Sequence, residues 1–192
     1  MPPPPRFLGS FPGVLPDPTL PEVAFAGRSN VGKSSTLNVL LGVHGLARIS
    51  RTPGRTRALN LFEVEGRWIA VDLPGYGHAK VSHKERASWG QWIEAYLTDR
   101  PTLRLVLSIV DARIPVQDSD RQLLRSVVAR GVPVLVLANK IDALTRQKRL
   151  PTALALAQGL GIGPDQILPF SATEGIGKDE ALTMIRQAVR ER

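Results

Sequence analysis

Gly27-Arg28-Ser29-Asn30-Val31-Gly32-Lys33-Ser34 is the stretch whose reading decides the fold. It fits G-x-x-x-x-G-K-[ST]. In that pattern the glycines let backbone N–H groups turn inward around phosphate oxygens. The lysine sets a cation against the β- and γ-phosphates, and the final hydroxyl ligates Mg²⁺. A chain of this length meets the pattern by accident about once in a hundred. The flanks agree with it. Glu22–Ala26 reads as a buried strand running into the Gly-rich turn, and Lys33–Leu41 reads as the next helix, whose positive N-terminal end favours an anion.

Outward from this loop, apolar runs alternate with helical patterns. Ala58–Val64 and Arg67–Val71 read as strands joined in a hairpin at Glu65-Gly66. Ser82-His83-Lys84-Glu85 has capping-box spacing and opens a helix to about Leu97. Leu103–Val110 and Val132–Ala138 are continuous apolar runs, as in parallel strands covered on both faces. Asp118–Arg130 and Leu150–Gln158 read as helices and Gln166–Phe170 as a short strand. Leu182, Ile185 and Val189 share one face of a terminal helix. One hairpin among βα units predicts an α/β fold: a mostly parallel six-stranded sheet with one antiparallel strand and helices on both faces. Half of the 16 prolines precede Val23. Residues 1–21 therefore read as an extended Pro-rich arm, disordered or lying along the domain edge, and 22–192 as the nucleotide-binding domain.

Three further motifs fall at strand ends. Asn139-Lys140-Ile141-Asp142 is N-K-x-D. The Asp142 carboxylate can accept from guanine N1–H and the exocyclic amine, which adenine cannot offer, and the Lys140 stem can pack along the base. Asp72-Leu73-Pro74-Gly75 is D-x-x-G, a weak pattern alone. Here it closes the second hairpin strand, where Asp72 can hold Mg²⁺ through a water and the Gly75 N–H can sense a γ-phosphate. Ser171-Ala172 follows the last strand, where a loop would cover guanine O6. A Thr that reaches Mg²⁺ is offered twice in the loop Arg48–Arg57, by Thr52 and Thr56; Thr56 is favoured because it directly precedes the hairpin strand. Together these predict a GTP-binding P-loop GTPase G domain. Its catalytic set is Lys33, Thr56, Asp72 and Gly75, and its metal ligands are Ser34 and Thr56.

Charge and composition narrow the setting. The formal net charge is +8 with pI near 10.6, which fits either a solvated basic surface or a polyanionic partner. Absence of cysteine excludes disulfides, thiolate metal sites and cysteine lipidation. No apolar run reaches membrane-spanning length and the start has no signal-peptide pattern, so a cytoplasmic protein with no membrane partner is expected; a monomer is expected as well, though nothing in the sequence fixes the oligomeric state.

The stretches Gly27–Ser34 with Ser35, Thr52-Pro53-Gly54-Arg55-Thr56, and Val71-Asp72-Leu73-Pro74-Gly75-Tyr76-Gly77 together resemble the EngB (YihA/YsxC) bacterial GTPases. The likeness extends over nearly the whole chain from Glu22. It implies a role in late assembly of the large ribosomal subunit, with a link to division septum formation. It also implies nucleotide contacts at Gly27–Ser34, at Gly54, Arg55, Thr56, Arg57 and Ala58, at Asp72–Gly75, at Asn139–Asp142, and at Phe170, Ser171 and Ala172. Ser34 and Thr56 are its implied Mg²⁺ ligands. His78 departs from the aromatic residue usual in the family.

Tyr76 stands where Ras-type enzymes carry a water-orienting Gln. Either the phenol leaves intrinsic hydrolysis slow, to be completed by an activating partner or ion, or Tyr76 simply packs the switch. Asn30 makes K⁺ a candidate second cation, since related GTPases with Asn there can bind K⁺ beside the phosphates; otherwise it braces the loop. From Val23 to Phe62 there is no Asp or Glu, but there are Arg28, Lys33, Arg48, Arg51, Arg55 and Arg57. Lys80, Lys84 and Arg86 follow the Asp72–Gly75 motif, with His78 and His83 beside them. This is either a solvated surface or a cationic one that GTP arranges for rRNA. Trp89 and Trp92 read as helix packing. The rival readings are direct action on the division machinery, a P-loop nucleoside kinase, a Ras-like membrane switch, and a pure RNA-binding module. The kinase would need a substrate lid and would not place N-K-x-D on a strand end.

Overall fold

A computed structural model describes residues 3–13, 15–43, 45, 58–76 and 93–190. In chain order the elements are β1 (Arg6–Phe11), β2 (Glu22–Gly27), α1 (Lys33–Leu41), β3 (Leu59–Val64), β4 (Trp68–Asp72), a helical segment α2 over residues 93–99, and β5 (Leu103–Asp111). Then come α3 (Asp118–Val128), β6 (Val134–Asn139), α4 (Arg146–Leu160), β7 (Ile167–Pro169) and α5 (Lys178–Arg190). They form one seven-stranded sheet in the order β1-β3-β4-β2-β5-β6-β7.

The expected α/β class holds, with β3 the one strand that runs against its neighbours, antiparallel to both β1 and β4. The expected strand count is corrected from six to seven, because part of the Pro-rich arm pairs with the sheet. Arg6–Phe11 is the proline-free part of the arm up to Phe11, so its N–H groups can join a ladder. A bulge between Phe7 and Gly9 sets Leu8 against the core, and Phe7 meets Phe62 with ring centroids 5.3 Å apart.

Side-chain alternation divides the core. Ala24, Ala26, Leu61 and Val71 point to the face covered by Tyr96 and Leu97 of α2, Leu124 and Val127 of α3, and Leu156 and Leu160 of α4. Val23, Phe25, Phe62 and Leu107 point to the opposite face, covered by Leu37 and Leu40 of α1 and Ala181 and Ile185 of α5. The hairpin turn is as expected, with Glu65 (φ 54) and Gly66 (φ 65) both left-handed. α4 begins at Arg146 rather than Leu150 and tolerates Pro151 inside it, one turn in, where the missing N–H forfeits a single bond. The start of the helix expected at Ser82 lies outside the described residues, and its end continues to residue 99.

At the far end of the sheet from the phosphate loop, fully buried Glu22 accepts from Arg100 Nε (2.8 Å), Arg100 Nη2 (2.6 Å) and the Tyr96 hydroxyl (3.0 Å). Arg100 also donates to the Pro16 carbonyl at 2.9 Å. This cluster ties the arm, β2 and α2 together.

Candidate nucleotide-binding site

The strands β2, β4, β5 and β6 are parallel, so their carboxyl ends lie at one edge of the sheet, where the motifs meet. Gly27 ends β2 against β5; a Cβ added there would lie 2.9 Å from the Ile109 carbonyl oxygen. Gly32 is the N-cap of α1 in a left-handed conformation (φ 94), and no side chain caps the helix. The first-turn N–H groups are thus left without a side-chain cap, the condition for an anion to take that place.

Lys33 of α1 pairs directly with Asp72 at the end of β4, although 39 residues separate them. The other Asp72 oxygen accepts from Asn60 Nδ2 at 3.3 Å, and Asn60 Oδ1 accepts from the Ser10 hydroxyl. Ser10, Asn60 and Asp72 are register partners on adjacent strands, which aligns their side chains in one row leading to Lys33. Gly75 comes against the loop: a Cβ there would sit 3.3 Å from Ser29 Oγ. The Tyr76 carbonyl accepts from Ser29 N–H at 3.1 Å. The Tyr76 hydroxyl turns away and donates to Asp120 Oδ1 at 2.9 Å, while Asp120 Oδ2 accepts from Gln117 N–H at the start of α3 (3.2 Å). Burial pushes the Tyr76 phenol well above its ordinary pKa, with the Asp120 carboxylate adding to the effect. The Tyr76 hydroxyl is thereby held against the start of α3.

Asn139 joins the phosphate end to the base end. Its amide Nδ2 donates to the Val31 carbonyl at 2.8 Å, and its Oδ1 accepts from Ala172 N–H at 3.1 Å. Ile141 N–H donates to the Phe170 carbonyl at 3.1 Å, fastening the two base-side loops to each other. Ser171, fully buried, accepts from the Thr173 and Glu174 N–H groups through its hydroxyl. Lys140 is left-handed (φ 64) and directs its Nζ to the Asn30 carbonyl (2.6 Å) and to Asp111 Oδ2 (2.8 Å). Asp111 also receives Arg113 through the backbone N–H (3.0 Å), Nε (2.9 Å) and Nη2 (2.8 Å). Burial works against the Asp111 carboxylate, but the hydrogen bonds from Arg113 and Lys140 outweigh it and hold its pKa well below the usual range.

The structure therefore gathers Gly27–Ser34, Asp72–Gly75, Asn139–Asp142 and Phe170–Ala172 around one edge. Ala58 is buried just before β3. Gly54, Arg55, Thr56 and Arg57 lie outside the described residues, as do Thr52, Arg48, Arg51, Gly77, His78, Lys80, His83, Lys84, Arg86, Trp89 and Trp92. Sequence reasoning missed Asn60, Asp111 and Arg113. The available signals were a lone amide in Leu59-Asn60-Leu61-Phe62 and a carboxylate closing the apolar run of β5. Among the described residues there is no acidic or histidine cluster able to hold a metal alone, and no helix long and apolar enough to cross a membrane.

A family model described as "50S ribosome-binding GTPase" matches residues 22–140. The chain is 48% identical over 177 residues to a probable GTP-binding protein EngB of Desulfatibacillum aliphaticivorans, covering 91% of this chain and 86% of that protein. It is 46% identical over 167 residues to the corresponding protein of Shouchella clausii, covering 86% and 85%. Among solved structures, a probable GTP-binding protein engB superposes with TM-score 0.75 at 24% identity, over 89% of this chain and all of that one (100%). Era, solved with MgGDPNP and nucleotides 1506–1542 of 16S ribosomal RNA, superposes with TM-score 0.67 at 25% identity, over 90% of this chain and 58% of Era.

Proposed function

Because the chain belongs to the 50S ribosome-binding GTPases, and among them to the EngB GTP-binding proteins, we propose that it is a GTP-operated switch in assembly of the large ribosomal subunit. On this reading it works as a cytoplasmic monomer, and septation depends on it through ribosome supply. The family name supports the ribosomal part, and one feature of the chain carries it: the stretch Val23–Phe62, which spans the phosphate loop and the Thr56 loop, has no acidic residue and six Lys or Arg. A γ-phosphate that orders such a segment presents cations to rRNA phosphates, and hydrolysis withdraws them.

Each residue then has a task. Lys33 exchanges Asp72 for the β- and γ-phosphates, and Gly75 N–H reports the γ-phosphate. Asp142 reads guanine, and the Ala172 N–H passes from Asn139 Oδ1 to guanine O6. Ser34 offers a hydroxyl oxygen and Asp72 a carboxylate that already faces a cation, a donor set suited to a hard divalent ion. Ser34 and Thr56 would hold Mg²⁺ directly and Asp72 through water; when bound, the ion neutralises charge developing on the phosphates. With a phenol rather than an amide at position 76, unaided turnover is slow and is completed by a partner, or by K⁺ at Asn30.

The test is pelleting with purified large subunits. More protein should sediment with a non-hydrolysable GTP analogue than with GDP, and the difference should shrink steeply as salt rises. Equal sedimentation in both nucleotide states with no salt effect overturns the ribosomal reading. Calorimetry that shows no preference for GDP over ADP overturns the nucleotide reading itself.

A further inference from the structure

We infer that Asp111 and Arg113 are a positioning pair behind the guanine pocket: the Asp111 carboxylate anchors the Lys140 ammonium so that the lysine stem stands as a fixed wall for the base, and Arg113 holds Asp111 in turn. The inference rests on the guanine-pocket reading of Asn139–Asp142 and extends it to residues outside the four motifs.

Lysine has among the largest rotamer freedoms of any side chain, so a free Lys140 would have to be immobilised each time a base stacked on it. Here the fold has done this beforehand. Asp111 is the register partner of Asn139 across β5 and β6, which places its carboxylate beside the residue that precedes Lys140. The Lys140 ammonium is shared between Asp111 Oδ2 and the Asn30 carbonyl, so the stem runs from the end of β6 to the phosphate loop; a Cβ on Gly32 would come within 3.9 Å of Lys140 Cε. Asp111 is almost buried, with 7% of its side chain exposed, against 28% for Lys140 and 50% for Arg113. A nearly buried carboxylate needs full satisfaction, and Arg113 provides it with a bidentate fork and a backbone N–H.

The charged groups facing Asp111 are thus Lys140 and Arg113, and neither contacts the exocyclic amine that distinguishes guanine from hypoxanthine on this reading. This yields a signature that fold damage would not produce. Dissociation of N-methylanthraniloyl-GDP and its inosine counterpart would be followed by stopped flow in the full chain, alongside thermal unfolding. Asp111→Asn should speed release of both nucleotides about tenfold, the size of one charge-assisted hydrogen bond, and leave their ratio unchanged. In a Lys140→Ala background the same change should add less than about twofold, because the wall is already gone. Arg113→Ala should speed release about threefold, since the Lys140 contact to Oδ2 survives it.

Wild-type release rates in Asp111→Asn, or effects that multiply fully with Lys140→Ala, overturn the inference. If Asp111→Asn does not fold, Arg113→Ala decides: no acceleration, or equal acceleration with and without Lys140, overturns it. A wild-type protein with no preference for GDP over ADP would instead mean that the guanine pocket itself is misassigned. A clear preference with silent variants would remove only the positioning pair.

Discussion

Gly32→Ala tests how the phosphate loop and the guanine motif depend on one another. Gly32 has φ 94, and an added Cβ would fall inside contact distance of Asn139 Nδ2. The backbone term is roughly 1–2 kcal/mol for holding an L-residue in the left-handed region. The second term comes from Asn139. To make room, its amide must leave the Val31 carbonyl (2.8 Å) and loosen from Ala172 N–H (3.1 Å). Leaving a buried backbone group unsatisfied costs about 1–3 kcal/mol. Together the loss is about 2–5 kcal/mol, a large part of a domain's total stability. Urea unfolding of Gly32→Ala, Asn139→Ala and the double variant separates the terms. Against wild type the full sum is expected. Against Asn139→Ala, where nothing remains to be displaced, only the backbone term of roughly 1–2 kcal/mol should be left. A Gly32→Ala loss under about 1 kcal/mol, or the same loss in both backgrounds, would refute the coupling of the two loops through Asn139.

Tyr76→Phe should cost about 1 kcal/mol of stability for the bond to Asp120, yet leave partner-free GTP hydrolysis within about twofold; a tenfold fall in single-turnover rate would mean that the phenol works on the reacting water. Arg100→Ala strands the fully buried Glu22 carboxylate with only the Tyr96 hydroxyl and should cost about 3–5 kcal/mol by denaturant titration; a loss below about 1 kcal/mol would show that the pair does not hold this end of the sheet together. The folded pKa of Asp111 is depressed below its unfolded value of about 3.9, so its ion pairs contribute stability above that pH and lose it as pH falls toward the folded value. Stability of the wild type should accordingly drop more steeply below about pH 4 than that of Asp111→Asn; parallel acid limbs would argue against the pairing.

Much of the site was legible because its parts follow backbone rules. Gly27, Gly32 and Gly75 sit where another backbone or side chain comes close, and Asn139–Asp142 closes a run of buried β6 residues. The hairpin was legible from Glu65-Gly66. Other features were hidden for physical reasons. β1 lacks the continuous apolar run of a core strand: it is an edge strand with a bulge, and its proline-rich flanks dominate the local composition. Asn60 and Asp111 look like strand residues with a wrong side chain until the sheet order reveals what they face. The partner of Tyr76 was hidden too, because a side chain's direction depends on packing, here against Asp120 on a helix 44 residues away.

The row Ser10–Asn60–Asp72–Lys33 makes the N-terminus something other than a neutral handle. An affinity tag placed ahead of Arg6 would tug on a strand whose Ser10 hydroxyl is only two side chains from the Lys33 ammonium. Biochemists choosing a tag should place it after the terminal helix.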